Sequence, residues 1–314
     1  IENILKPCIT SENECIEDFC KFLAKVLVAF PLPCLHPGVQ AVYNKVAELI
    51  DNSLKHQEKV SLYNSLTVLS TICKQHEQFL DKLAQQLVKV IQKLAKDSLS
   101  AQLTNKRDAP QDAERATSAL VKSIRLLSMR IHALTDLKKP FLQHLLLIID
   151  KSTDVHLLEE ITTIVGGWMR SKPGEANATV LNVKEKTNFV LKMATFENIN
   201  SVSLQNKFLD IVHRLYNETP GGTSRSELLP KLERAFMIGL RSSEPPVRAK
   251  FFDLFNRSIV KNLYKRLLYI VQGQDWESLS DSFWLKQALD LLLAVLVQNR
   301  TLQIAPGGAR MPAL

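Results

Sequence analysis

The feature that most constrains the fold is a short run of residues that occurs twice, 43 positions apart. Seven positions between Leu204 and Val212 carry the same or a similar residue as seven positions between Val247 and Phe255. Lys-Phe at the centre of the first copy, followed by an apolar residue and Asp, recurs in the second copy. A sequence that matches itself at a fixed step of this length is typical of a structural repeat, in which each unit packs on its neighbours.

The second copy has the pattern of a turn followed by an amphipathic helix. Pro245 and Pro246 are predicted to end one helix and stiffen a turn, because proline fixes φ and lacks an amide donor. We expect the next helix to start at Val247, with one buried stripe at Val247, Phe251, Leu254, Phe255 and Ile259. Two-helix HEAT and armadillo units have about 40–47 residues. The turn and the following Val-Arg pair resemble the HEAT signature.

Helical periodicity continues through most of the chain and predicts an all-α fold. We expect roughly a dozen helices in antiparallel pairs, forming a HEAT-like solenoid over residues 1–298, with looser joints near 100–112 and 217–226 and an irregular tail at 299–314. A closed globular helical domain is the alternative. The predicted helices span about 14–30, 37–55, 60–74, 79–99, 113–133, 138–151, 155–170, 180–196, 202–216, 227–241, 247–256, 262–271 and 283–298.

Composition limits the class of protein. The hydrophobic fraction of 46% and the charged fraction of 23% are those of a folded, soluble chain. The longest clean apolar run, 291–297, is far shorter than the roughly 18–20 residues that a membrane span requires. The five cysteines lie in the first quarter of the chain and are expected to be reduced. We expect the sequence to be a piece of a longer protein.

No catalytic or cofactor motif is recognisable, so we expect no enzyme activity, no small-molecule substrate and no cofactor. The sequence lacks a phosphate-binding Gly-rich loop, a nucleophile elbow and the His-Glu-x-x-His pattern of zinc hydrolases. Cys73 and His76 lie one helical turn apart, but two ligands do not make a metal site. Gly166-Gly167, inside a predicted helix, is expected to permit close helix packing. Asp154 is expected to cap the helix that follows it.

Positive charge gathers near the second copy of the repeat. Residues 225–270 hold ten Lys and Arg against four Asp and Glu, so they carry +6 of the chain's net +8. We predict a surface for an acidic partner formed by Lys250, Arg257, Lys261 and Lys265, the alternative being a solvated repeat face. Arg248 is expected to hold one repeat to the next. No aromatic stacking platform accompanies the charge, so we expect no direct binding of nucleic acid.

A family resemblance rests on the stretch that follows the second proline. The chain resembles the transformation/transcription domain-associated protein (TRRAP) family in the order and spacing of several segments. These segments are Pro246-Val247-Arg248-Ala249-Lys250-Phe251-Phe252 and residues 264–269, 274–277, 283–287 and 291–295. These very large pseudokinases are related to the phosphatidylinositol-3-kinase-like kinases. Their long helical solenoid precedes the kinase-like region, none of whose motifs is present in this chain.

The resemblance implies a non-catalytic scaffold segment of a nuclear coactivator. Members of the family are subunits of SAGA-type and related histone acetyltransferase complexes, in which activators engage them, so protein partners are expected. The alternative is a different helical-repeat adaptor, such as a nuclear transport receptor of the importin-β type. The resemblance assigns no individual binding residue.

Overall fold

A computed structural model of the chain describes residues 2–10, 15–29, 37–56, 58–104, 110–171, 174–218, 232, 235 and 238–258. Every regular element within these residues is a helix, which confirms the all-α prediction. Within the described ranges, no helix is long and apolar enough to cross a bilayer. The chain divides into two compact units, Ile1–Asn182 and Val183–Leu314. The predicted helices 262–271 and 283–298 and the predicted tail lie outside the described residues.

The first unit contains eight α-helices in its described part. They are α1 (Glu2–Thr10), α2 (Cys15–Ala29), α3 (Pro37–His56), α4 (Lys59–Gln75), α5 (Ala84–Thr104), α6 (Pro110–Arg130), α7 (Thr135–Lys151) and α8 (Val155–Arg170). Short 3-10 helices span Glu77–Lys82 and Ala176–Thr179.

These helices pack in two layers, because each one contacts the helix two places along the chain. Helices α2, α4, α6 and α8 form one layer, and α1, α3, α5 and α7 form the other. The apolar side chains between the layers are fully buried, among them Leu66, Leu87, Leu127, Leu145 and Leu158. This is the packing expected of stacked helix pairs in a solenoid.

Helix α4 lies deepest in the first unit, since it contacts α1, α2, α3 and α6. Its buried residues therefore include polar ones that need hydrogen-bond partners. The Asn64 amide donates to the carbonyl oxygens of Ile9 (3.0 Å) and Cys8 (3.3 Å) in the last turn of α1. Carbonyls in the last turn of a helix have no partner within that helix. Asn64 therefore supplies hydrogen-bond donors to the carbonyl groups at the end of α1, and these carbonyl groups serve as acceptors for its own buried amide.

The second unit contains α9 (Val183–Met193), a 3-10 helix (Ala194–Asn198), α10 (Val202–Glu218) and α11 (Pro245–Ser258) in its described part. Helix α10 packs against α9, the 3-10 helix and α11. Residues 238–240 are also helical and precede a turn at 241–244. The two copies of the repeated run therefore lie on α10 and α11, which contact each other.

Several helix boundaries differ from the prediction. Helix α11 begins at Pro245 and not at Val247, because proline is well suited to the first turn, where its missing amide donor is not needed.

The predicted helix 79–99 is a 3-10 helix followed by α5. The predicted helix 180–196 is likewise α9 followed by a 3-10 helix. The predicted loop 100–112 is shorter, since α5 continues to Thr104 and α6 starts at Pro110. Helix α1 was not predicted.

Two local predictions can be compared directly with the structure. Asp154 caps α8 as predicted, with its carboxylate accepting from the Leu157 amide at 3.1 Å. The expectation that Gly166-Gly167 permits close packing is wrong for Gly167, because a Cβ atom added there would meet nothing within 4 Å.

Candidate interaction surfaces

The predicted basic surface is only partly within the described residues. Lys250 is exposed on α11, as a docking residue must be. Arg257 lies on the same helix, but its side chain is outside the described part. Lys261 and Lys265 are outside it altogether. The structure therefore shows Lys250 on the surface. The stripe that Lys250 would form with Arg257, Lys261 and Lys265 stays a prediction.

Two of the ten basic residues between 225 and 270 do not contribute to such a surface. Arg241 forms an ion pair with Glu197, which is 44 positions earlier and belongs to the 3-10 helix before α10. Arg248 is buried, and its guanidinium donates to the Ser242 carbonyl in the turn before α11. The positive charge available to a partner is therefore smaller than the count of residues in the sequence indicates.

Helix α10 shows what the equivalent positions of the earlier repeat do. Lys207, which corresponds to Lys250, is half-buried. Arg214 binds Asp210 one turn earlier, with 3.0 Å between Nε and Oδ2. An exposed ion pair within one helix contributes only about 0.3–0.5 kcal/mol, but it neutralises the charge locally. The α10 face is therefore a weaker candidate for an acidic partner than the α11 face.

The two buried thiols of the described residues are suited to packing and not to chemistry. Cys73 and Cys20 are buried, and burial raises the pKa of the Cys73 thiol to about 12. A thiol is a nucleophile or a metal ligand only as thiolate, so Cys73 is unreactive near neutral pH. Among the described residues, no group of three or more His, Cys, Asp or Glu side chains could hold a metal ion.

A groove between α2 and α3 was missed by the sequence analysis. Its walls are Phe19, Leu23 and Val26 on α2 and Val39, Val42 and Val46 on α3, and we refer to it as the α2–α3 groove. Val68 and Ile72 of α4 and Leu5 of α1 also line it. The cavity has a volume of about 420 Å³.

Large apolar side chains on α2 and α3 also reach the surface. Val42, which lines the groove, is 36% exposed, and Phe22 of α2, which is not one of the lining residues, is 62% exposed. Large apolar side chains that cluster at the surface mark sites where another element or molecule packs. The sequence contains a weak signal of this surface, because the apolar residues of α2 extend from its buried stripe through Phe19 to Phe22 and so cover more than one helical face.

Comparison with known proteins places the whole chain within one family. A family model described as the Tra1 HEAT repeat ring region matches residues 1–314. Human transformation/transcription domain-associated protein is 32% identical over 99% of this chain, and the Danio rerio protein of the same name is 31% identical over 99%. The Saccharomyces cerevisiae "SAGA complex/NuA4 acetyltransferase complex subunit TRA1" is 27% identical over 97%.

The chain spans about 8% of the length of each of these three relatives. The match to the family nevertheless runs from the first residue to the last, so it covers residues 246–295, which carry the resemblance, and the rest of the chain as well. The stacked helix pairs of the first unit and the contact between α10 and α11 are the architecture that the family description names. The chain belongs to the family of the Tra1 HEAT repeat ring region.

Proposed function

We propose that this chain is a non-catalytic scaffold segment of a nuclear transcription coactivator, and that it offers protein-interaction surface within a histone acetyltransferase complex. The observation that carries the proposal is the match of all 314 residues to the HEAT repeat ring of proteins whose names include a subunit of the SAGA and NuA4 acetyltransferase complexes. Stacked helix pairs suit this role, since they present long faces while their apolar sides are buried on one another.

The absence of catalysis belongs to the same proposal. The sequence has none of the residue sets that cradle phosphates or hold magnesium. The purified segment is therefore expected neither to bind ATP nor to transfer phosphate. Isothermal calorimetry with Mg-ATP measures this directly, and saturable magnesium-dependent binding contradicts the non-catalytic assignment.

Within this function, the basic part of the second unit is our candidate for docking an acidic partner, either an activator segment or a neighbouring subunit. Lys250 is exposed on α11. Arg257, Lys261 and Lys265 follow it at spacings that form one stripe if the helix continues. Opposite charge acts mainly on the rate of association and is screened over about 8 Å at physiological ionic strength.

The docking proposal is tested by changing the sign of the charge. The triple variant Lys250→Glu, Lys261→Glu, Lys265→Glu in the full-length protein should slow association with acidic partners and reduce its salt dependence. A matched control exists on α5, where Lys89, Lys93 and Lys96 are exposed and, within the described residues, form no ion pair or hydrogen bond. The same three charge reversals there should leave association unchanged. Equal effects of both triple variants identify a non-specific charge effect.

The scaffold assignment itself is tested by cross-linking mass spectrometry of the full-length protein in its native assembly. We expect residues of this segment to cross-link to subunits of an acetyltransferase complex. Recovery of nuclear transport cargo or a Ran-type GTPase in place of those subunits would support a transport receptor and overturn the proposal.

A further inference from the structure

Helix α4 and most of α6 carry positive charge and no negative charge. Residues 59–75 contain two lysines, residues 115–130 contain three arginines and one lysine, and neither stretch contains Asp or Glu. The two helices pack against each other in one layer of the first unit. Any acidic counterpart of these charges must therefore come from another element or from another molecule.

Two of the arginines of α6 obtain their counterparts within the first unit. Arg125 binds Glu160 of α8, with distances of 2.7 Å from Nε to Oε2 and 2.5 Å from Nη2 to Oε1. Arg130 binds Asp81 of the 3-10 helix before α5, with 3.1 Å from Nε to Oδ1 and 2.8 Å from Nη2 to Oδ2. Both pairs are bidentate, which is the strong arrangement of a guanidinium with a carboxylate. These two charges are therefore neutralised inside the unit.

Lys122 lies between these arginines and the start of the helix, and it has no acidic counterpart among the described residues. Its ammonium donates to the Thr67 hydroxyl of α4 at 2.6 Å and lies 3.6 Å from the centre of the Tyr63 ring. The Thr67 hydroxyl itself donates to the Tyr63 carbonyl at 2.9 Å, so its oxygen is held in place to accept from the lysine. Two neutral groups thus hold the ammonium over α4 and leave its charge uncancelled.

This arrangement prepares Lys122 for an anion. A lysine on an open surface samples many rotamers, and fixing it in one of them costs conformational entropy. The contacts with Thr67 and Tyr63 restrict Lys122 before any ligand arrives, so less entropy is lost on binding. An ammonium has three donors. Thr67 takes one and the ring face receives another, which leaves a donor for a ligand. The side chain is also half-buried, so salt screens its charge less than that of an exposed lysine.

We propose that Lys122 binds one carboxylate, an Asp or Glu side chain on a segment of a separate protein that lies along the outer side of α4. A carboxylate carries the single charge that one lysine neutralises, whereas a phosphate monoester carries nearly two. The proposal rests on the scaffold function proposed above, which requires protein partners. It is independent of the basic residues on and after α11, because it assigns one fixed cation in the first unit.

The outer side of α4 specifies the rest of this segment. Tyr63, Thr67, Ser70 and Lys74 recur at intervals of three or four residues and therefore share one side of the helix. Within the described residues, the hydroxyls of Tyr63 and Ser70 form no hydrogen bond and Lys74 forms no ion pair. The segment is therefore polar as well as acidic, with hydrogen-bonding groups opposite the two hydroxyls.

Zero-length cross-linking with a water-soluble carbodiimide tests the proposal on the full-length protein in its native assembly. The reagent joins an amine to a carboxylate without a spacer, so it reports groups that are in contact. We expect mass spectrometry to find Lys122 joined to an Asp or Glu of another protein. The matched control is Lys89 of α5, which is exposed and forms no ion pair or hydrogen bond within the described residues. Lys89 should give no dominant product.

Other products contradict the proposal in identifiable ways. A dominant product with a carboxylate of the same polypeptide gives Lys122 an internal partner. A product with a phosphorylated residue assigns the site to phosphate. If Lys122 gives no product while acetyltransferase subunits still cross-link elsewhere in the segment, this proposal fails and the scaffold function stands. If those subunits are absent altogether, the scaffold function fails.

Two variants separate binding from a purely structural role. A synthetic peptide with the sequence cross-linked to Lys122 is titrated against the full-length protein. Lys122→Met keeps an unbranched side chain and removes the charge, so affinity for the peptide should fall about tenfold. Lys122→Arg keeps a cation over the Tyr63 ring and should restore most of the affinity. If Lys122 only ties α6 to α4, Lys122→Met lowers stability to urea and leaves the affinity unchanged, which overturns the proposal.

Discussion

Helices α10 and α11 carry the same run of residues, yet they are not equally buried. Phe208 on α10 and Phe251 on α11 are both fully buried, as predicted from the repeat. The flanking positions differ, because Leu209 is buried whereas its counterpart Phe252 is only half-buried. A sequence repeat thus specifies which side of a helix faces inward, whereas the neighbouring elements decide how far round the helix the burial extends.

The two buried phenylalanines also have different neighbours. Phe208 packs edge-on against Phe196, with ring centroids 6.1 Å apart. Phe251 instead meets the His213 ring of α10 at 6.2 Å and lies over Gly239. A Cβ atom on Gly239 would approach the Phe251 ring to 2.3 Å. The same residue type is therefore accommodated in one repeat by a second aromatic ring and in the other by a glycine.

Truncating the two phenylalanines should have the largest effect. Phe208→Ala and Phe251→Ala are each expected to lower the free energy of unfolding by about 3–5 kcal/mol, because both rings are fully buried. The control is Phe252→Ala, which removes a ring of the same size from a half-buried position and should cost clearly less. Urea unfolding followed by circular dichroism measures all three. An equal cost at Phe252 contradicts the difference in burial between the two helices.

Filling the space at Gly239 should have the next largest effect. Gly239→Ala is expected to destabilise the chain by about 1–3 kcal/mol, because the methyl group would overlap the Phe251 ring. Gly167→Ala in α8 is the matched control, since a Cβ atom there meets nothing within 4 Å. That substitution should stabilise α8 by about 0.5–1 kcal/mol.

The contact at Gly239 is isolated by a double-mutant cycle. The cost of Gly239→Ala should shrink when Phe251 is changed to Leu, since residues in contact couple by about 0.5–3 kcal/mol. Strict additivity of the two substitutions shows that the glycine does not make room for the ring.

The ion pair between Arg241 and Glu197 should have a smaller effect. Its side chains are 20% and 26% exposed, whereas those of the Arg214–Asp210 pair are 47% and 40% exposed. Glu197→Gln should therefore cost about 1 kcal/mol and Asp210→Asn less than about 0.5 kcal/mol. Thermal unfolding at low and high salt compares them. A larger cost at Asp210 contradicts the view that the Glu197 pair joins successive repeats.

The inward side of each helix was predictable from sequence, whereas the ends of helices were less so. The spacing of Val247, Phe251 and Leu254 predicts the buried stripe of α11, and the short side chain of Asp154 predicts a cap. Leu80, Leu83 and Leu87 continue the helical periodicity across the end of the 3-10 helix at Glu77–Lys82, so the pattern does not reveal the break. The prolines at the start of α11 are predicted to belong to a turn, although the fixed φ of proline also fits the first turn of a helix.

The interaction surfaces were predictable only where they depend on single residues. The exposure of Lys250 follows from its place on an amphipathic helix. The pairing of Arg241 with Glu197 does not, because the two residues are 44 positions apart and meet only through the stacking of repeats. The α2–α3 groove depends on how α1, α2, α3 and α4 pack together, and the periodicity of a single helix contains no information about that packing.

The central claim is that α10 and α11 are equivalent elements of successive repeats, with α11 covered on fewer sides within the described residues. Hydrogen–deuterium exchange resolved to single peptides tests it most directly, because amide protection reports local opening. We predict strong protection in 202–218, intermediate protection in 245–258 and weak protection in the turn 241–244. Exchange in 245–258 as fast as in that turn would contradict the claim that the second copy of the run is a packed repeat helix.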